Sequence, residues 1–451
     1  MHKTDVLIIG GSAAGLATAN SGKSNYPDKD FLLLRKEKEV MVPCGIPYIF
    51  GSLDSSDQNV MPADAMYDKL GIRYQTGVVK TIKRDEKIVT LDDGEEITYD
   101  KLVLATGSRP KIPSWLKGTD LENVFTIPKN KVYLDTMKSQ LKNVKKLVTI
   151  GAGFIGVEMS DEFIKDGKEV ILVEKLPTIL GVAFDQEIAV QAEDKLKAHG
   201  VRVYTGTGVS EIQGQNGKVS AVKLQDGTII DTEAVVLAMG YEANSEIAGQ
   251  SGIKLADNNS ISVDEYMRTN DPSIIAVGDC AEKRHFVTRK LSNIMLASTA
   301  CAEGRIAGMN LFRLSAVKTF SGTIAIYSTA IGDTALGTAG VTEEEAQNEG
   351  FDIVTGYFEG IDRHPGKLPH MHKQAVKLIL SRDSGVIIGG EAIGGESVGE
   401  LTNLLGFIIQ SRTTIQTLIT AQIGTHPMLT GSPAAYPLMK AAEMAYLKLK
   451  K

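Results

Sequence analysis

The chain has 451 residues, 43% hydrophobic and 23% charged, which is enough apolar material to bury a large core divided over two or three domains. A formal net charge of −6 and no apolar stretch of membrane-spanning length exclude nucleic acid and membrane as expected partners, leaving small-molecule chemistry. Three cysteines argue against a disulfide framework and, with Met1–Asp5 running into an apolar strand instead of a secretory leader, point to the cytoplasm.

The first predicted element is the strand Val6-Leu7-Ile8-Ile9, followed by Gly10-Gly11-Ser12-Ala13-Ala14-Gly15, an alanine-rich helix and the strand Phe31–Leu34. In such a turn the first glycine makes the tight bend, the middle position admits a pyrophosphate to backbone N–H groups at a helix N-terminus, and the third lets helix pack on strand. Ser12 stands at the middle position here. The segment Pro43-Cys44-Gly45-Ile46-Pro47-Tyr48 comes next, and a cysteine just before a helix would gain thiolate character from the N-terminal partial charge. A further apolar strand, Leu102–Ala105, ends in Thr106-Gly107.

The same pattern then recurs. Leu147-Val148-Thr149-Ile150 enters Gly151-Ala152-Gly153-Phe154-Ile155-Gly156, a helix to about Lys165, Gly167 as its stop, and the strand Val170–Val173 ending at Glu174. Two such turns in one chain imply two dinucleotides. Glu174 stands where a carboxylate would bind a ribose 2′-hydroxyl and repel a 2′-phosphate, which favours NADH over NADPH. A second strand again ends in a small turn, Val235–Gly240, and Ile274–Val277 closes on Gly278-Asp279, an acidic residue able to bind a sugar-like hydroxyl chain. From about residue 321 the pattern changes to strands such as 375–380 and 386–392 followed by helices, without a glycine fingerprint, which suggests a third domain.

Together, the two turns, Ala105-Thr106-Gly107 and the run Thr269-x-x-Pro272-x-Ile274-x-Ala276-Val277-Gly278-Asp279 resemble the pyridine nucleotide-disulfide oxidoreductases over nearly the full length. The resemblance implies an α/β fold with two Rossmann-like domains and a C-terminal α+β dimerisation domain. FAD would occupy a split domain, 1–112 and 245–320; NAD(P)H would occupy 113–244; and 321–451 would build a homodimer. Pro43, Val79, Thr106, Gly107, Gly278 and Asp279 join Gly10, Ser12, Ala13, Ala14 and Gly15 as implied FAD contacts. Gly151, Gly153, Ile155, Gly156, Glu174 and Gly240 are implied nicotinamide-dinucleotide contacts. Phe154 and Glu158 match family positions where an aromatic ring gates the flavin face and a carboxylate meets the carboxamide.

Around Cys44 the chain is similar to the single-cysteine branch of coenzyme A disulfide reductases, persulfide reductases, NADH oxidases and NADH peroxidases; Ile49 stands where a second thiol would be. Without a partner, oxidised Cys44 must be a sulfenic acid or a mixed disulfide with an external thiol. Cys280 and Cys301 read as structural. Oxidases and peroxidases carry a histidine in the first turn where this chain has Ala13, so a disulfide, persulfide or polysulfide substrate moves ahead. The usual basic clamp for coenzyme A reduces to Lys23 in Asn20–Ser24, leaving coenzyme A open and smaller sulfur species favoured.

Two competing readings are an NADH oxidase or peroxidase and a flavin-dependent reductase of a partner electron-transfer protein. The strand-end glutamate expected at the FAD ribose is replaced by Arg35-Lys36, with Glu37 as a possible substitute. Gly424-Thr425-His426-Pro427 is similar to a His-Pro element that donates protons across a dimer, and Tyr436 is a second candidate from that region. His364, His370 and His372 lack recognised ligand spacing and read as a polar loop, so no metal is expected.

Overall fold

The computed structural model describes residues 2–317 and 322–450. Strand β1 (His2–Ile9) passes through the first glycine turn into α1 (Ala13–Asn25) and β2 (Phe31–Arg35). Next come α2 (Ala63–Leu70), β3 (Arg73–Thr76), β4 (Val79–Lys83), β5 (Ile88–Leu91) and β6 (Glu96–Leu104). The strands β3, β2, β1 and β6 run parallel, and β5 and β4 continue the sheet antiparallel. Val6 and Ile8 enter one core while Leu7 and Ile9 enter another on the opposite face. A parallel strand covered on both sides therefore needs an unbroken apolar run, which is what the sequence shows.

The second sheet repeats the plan. It uses β7 (Val124–Thr126), α3 (Lys131–Leu141), β8 (Lys146–Ile150), α4 (Phe154–Lys165), β9 (Glu169–Val173), α5 (Gln186–Ala198), β10 (Arg202–Tyr204) and β11 (Ala234–Leu237). The order is β10-β9-β8-β11-β7, all parallel, and a small antiparallel sheet precedes β11. The chain then returns: β12 (Ile274–Ala276) pairs in parallel with β6, and α6 (Ala297–Met309) packs on α1.

The C-terminal part is an antiparallel sheet in the order β13-β14-β17-β16-β15, made of β13 (Tyr327–Ile331), β14 (Thr334–Gly340), β15 (Ile353–Ile361), β16 (Lys373–Ser381) and β17 (Ile387–Gly394). Helix α7 (Val398–Gln410) covers β14 and β17, and α8 (Pro437–Leu449) covers β15 and β16. The expected domain border at 320/321 lies outside the described residues.

A buried charge cluster ties this sheet to α5. Lys377 on β16 is almost fully buried and pairs with Asp185 at 2.8 Å, Glu187 at 2.5 Å and Glu343 at 2.7 Å. The Asp185 N–H donates to Glu391 Oε1 at 3.0 Å, and burial pushes the Glu391 carboxyl well above the usual carboxylate range.

Candidate functional site

The two glycine turns have the same backbone. Gly10 and Gly151 lie in the left-handed region with φ of +116° and +99°, and a Cβ there would sit 2.0 Å from Ala105 O or 2.5 Å from Ala238 O. No L side chain fits such a bend. At the third glycines, Gly15 and Gly156, a Cβ would come 1.8 Å from the carbonyl oxygen of Gly10 or Gly151, so each helix rests directly on its turn. Ser12 and Gly153 are the N-caps of α1 and α4; the Ser12 hydroxyl makes no capping bond, and a Cβ at Gly153 would meet open space. Both helices thus present N–H groups without side-chain acceptors, as a pyrophosphate requires. Ala13 and Ala14 open α1, and Ile155 lies in the first turn of α4.

Beside the second turn is a cavity of about 450 Å³ lined by Gly151, Gly153, Glu174, Lys175, Trp115 and Gln225, among others. Glu174 follows β9 as expected, and its two oxygens accept from the N–H groups of Ala152 at 2.6 Å and Leu176 at 2.8 Å. The first turn differs. Arg35 ends β2 buried, bonded to Asp64 of α2 at 2.5 and 3.0 Å and lying 5.2 Å from the Tyr74 ring. Its Cβ and Cδ pack over Gly11. Glu37 is half-buried beyond the strand end, so the carboxylate brought to this corner is that of Asp64, supplied from 29 residues on.

Cys44 is exposed and sits inside a short 3₁₀ turn, Pro43–Gly45, followed by a second one, Pro47–Phe50. This corrects the expectation of a helix dipole acting on the thiol. Pro47 has no N–H to close an α-turn, and the Pro43 carbonyl accepts from Ile46 at 3.3 Å instead. Surrounding protein withdraws water from the sulfur and, with the charges of Glu158 and Asp279, pushes the Cys44 thiol above its ordinary range; Lys129 pulls it back down. The cysteine segment is fastened to α4: Ser52 donates through N–H and Oγ to Glu162 at 2.6 and 2.9 Å, and Phe50 meets Phe163 edge-on at 5.4 Å.

Charged groups from both sheets therefore act on the Cys44 thiol. Asp279 follows β12 and pairs with Lys129 at 2.6 Å and with the Ser108 hydroxyl at 2.7 Å. Burial raises its carboxyl, but Lys129 and Ser108 outweigh that and hold it below the usual range. Thr106 and Gly107 form the turn after β6; Thr106 exchanges hydrogen bonds with Asn244 at 2.6 and 2.9 Å, and Gly107 has φ of +70°. Gly278 N–H donates to buried Glu303 at 2.8 Å, which also pairs with buried Lys283 at 3.0 Å. Val79 opens β4 and packs at the edge of the core under this sheet, and Gly240 closes the turn after β11 with φ of +88°.

On α4, burial pushes the Glu158 carboxyl up to about 7 against a 2.7 Å hydrogen bond from Thr329. Phe154, one helical turn earlier, stacks on Tyr327. Cys280 is buried and donates to Leu104 O at 3.4 Å, while Cys301 on α6 is half-buried, 3.8 Å from Ala13 O.

His426 is exposed with Nδ1 accepting from Met428 N–H at 3.2 Å, and half-buried Tyr436 caps α8. Neither belongs to the groups acting most strongly on Cys44 within the chain. His364 is bonded to Thr430 O and His372 to Asp362, and among the described residues no group of three or more ligand-type side chains is arranged to hold a metal ion. No helix among the described residues is long and apolar enough to cross a membrane. Lys129, Ser108, Asp64, Tyr327 and Thr329 went unnoticed in the sequence, and none of them carries a local signal that would have singled it out.

Residues 4–304 match the pyridine nucleotide-disulphide oxidoreductase family and residues 326–435 match its dimerisation domain. An NADH oxidase of Methanocaldococcus jannaschii is 32% identical, with 98% of this chain and 99% of the relative covered. An NAD(P)H coenzyme A polysulfide/persulfide reductase of Pyrococcus horikoshii is 30% identical, with 91% and 92% covered. The solved structure of an NAD-dependent persulfide reductase from A. fulgidus superposes with a TM-score of 0.91 at 31% identity, over 99% of this chain and 84% of that one. The chain belongs to the pyridine nucleotide-disulphide oxidoreductase family and is an NAD(P)H-dependent flavoprotein oxidoreductase using FAD.

Proposed function

We propose that the protein reduces a disulfide, persulfide or polysulfide through Cys44. The observation that carries this reading is an exposed cysteine whose thiol is acted on by Asp279 from the side of the first sheet and by Lys129 and Glu158 from the side of the second. The first turn with Asp279 would hold FAD, in 1–112 and 245–320, and the second with Glu174 would hold NADH, in 113–244. Bound FAD supplies a route for the two electrons of a coenzyme hydride to reach sulfur.

The chain's own part begins at Cys44. Its thiolate attacks a substrate S–S bond, a Cys44–sulfur bond forms, and one sulfur fragment leaves as thiolate or sulfide. Two electrons then cleave the new bond, release the second fragment with a proton, and restore the thiolate. Lys129 favours the thiolate by its charge. Lys23, the one basic residue of Asn20–Ser24, is bonded to the carbonyls of Pro27 and Lys29, which favours a small sulfur substrate while coenzyme A persulfides stay within the class. Two copies would pair through the C-terminal domain, whose helices leave Leu404, Phe407 and Leu447 exposed. In that pair His426 and Tyr436 are the candidates to protonate the departing sulfur.

Steady-state NADH oxidation with a panel of disulfide, persulfide and polysulfide acceptors, in wild type and Cys44→Ser, tests the reading. The variant should lose turnover with every sulfur acceptor; full retention would remove Cys44 from the chemistry. NADH oxidase activity is the second reading, favoured by the M. jannaschii relative, and it requires oxygen consumption at rates matching the best sulfur acceptor.

A further inference from the structure

Taking Phe154 and Glu158 as the nicotinamide-facing pair, we infer that β13 of the C-terminal domain is the template for that end of the coenzyme site, with Tyr327 latching Phe154 and Thr329 fixing the Glu158 carboxyl. Phe154 and Glu158 are four apart on α4 and share one face. Tyr327 and Thr329 are two apart on β13 and share one face of the strand. The two pairs meet in register: the Phe154 and Tyr327 rings stack with centroids 4.7 Å apart and planes 10° from parallel, and Thr329 Oγ1 donates to Glu158 Oε1 at 2.7 Å. Phe184 closes on Phe154 at a centroid distance of 6.1 Å.

A ring held by stacking moves only when that contact breaks. Tyr327 therefore sets the cost of admitting a nicotinamide ring and leaves untouched the adenosine half, which belongs at Gly153 and Glu174 on the other side of the turn. The Glu158 carboxyl faces Glu162 on its own helix, Cys44 and Tyr48 on the cysteine segment, and Thr329 on β13. Burial and Glu162 favour its protonated form; the Thr329 hydroxyl is the influence in the other direction. Both Tyr327 and Thr329 are positioning residues.

The test compares binding of NADH and of ADP-ribose, which lacks the nicotinamide, to the FAD-loaded protein already reduced anaerobically with dithionite, by calorimetry across pH 6 to 8.5. Tyr327→Leu should bind NADH about 2- to 10-fold more tightly with ADP-ribose unchanged, the range of one aromatic pair, while Tyr327→Phe keeps wild-type values for both. Thr329→Val should move the pH-dependent limb of NADH binding, expected near 7 in the wild type, to higher pH; Thr329→Ser restores it. Equal shifts for both ligands in Tyr327→Leu, no shift for either, or an unmoved limb in Thr329→Val would overturn the assignment. Failure of the wild type to bind ADP-ribose would instead count against the second turn as the coenzyme site.

Discussion

The two glycine turns are built alike and finished differently. In both, a Cβ at the first or third glycine would come within about 2.5 Å of a carbonyl oxygen, so the bend and the helix seat follow from the backbone alone. What differs is the residue at the end of the neighbouring strand. Glu174 is half-buried and engaged by two N–H groups beside a cavity, whereas Arg35 is in the core and borrows a carboxylate from Asp64. On the proposed assignment, the turn sets where a dinucleotide lies and the strand end sets which one.

The hardest way to break the likeness is to fill the third glycine. Gly15→Ala and Gly156→Ala each drive a methyl into a carbonyl oxygen, at a cost of about 1–3 kcal/mol or more in local stability. The first variant should lose FAD on gel filtration, while the second keeps FAD and loses ADP-ribose binding. Loss of FAD to the same extent in both would show that the turns are not separate sites.

The strand ends should separate next. Asp64→Ala leaves the buried Arg35 guanidinium without its carboxylate and should lower stability by about 1–3 kcal/mol in urea unfolding, with weakened FAD retention. Glu174→Ala should stay within about 0.5 kcal/mol of wild type and shift the NADH-to-NADPH ratio of kcat/KM by about tenfold toward NADPH. An unchanged ratio would deny Glu174 its selecting role.

The smallest effect concerns charge near the sulfur. Asp279 is held below its unfolded value, so it contributes stability above pH 3.8 that disappears as pH falls through its folded value. Lys129→Met removes the strongest influence holding that carboxyl down against burial, so the variant should be less stable than wild type at pH 7 and converge with it in acid. The same change removes the cation that lowers the Cys44 thiol, and iodoacetamide should then alkylate Cys44 several-fold more slowly at pH 8. Equal alkylation rates would exclude Lys129 as the thiolate's partner.

Much of the fold was legible because parallel strands buried on two faces leave apolar runs, and because no residue but glycine fits at 10, 15, 151 or 156. Glu174 was legible for the same reason: it is local to its turn. The supporting groups were not. Asp64 reaches Arg35 across 29 residues, Lys129 reaches Asp279 across 150, and Thr329 reaches Glu158 across 171, and a single sequence gives no measure of such pairings. The cysteine segment was misread at one point: a helix was expected directly after Cys44, and Pro47 lacks the N–H that would close its first α-turn.

The most direct measurement is the absorption spectrum during anaerobic titration of the FAD-loaded protein with NADH. A Cys44 thiolate against the flavin should produce a long-wavelength charge-transfer band at two electrons per FAD, absent from Cys44→Ser. A wild-type spectrum that bleaches without that band, or a Cys44→Ser spectrum that keeps it, would contradict the assignment of Cys44 as the redox centre.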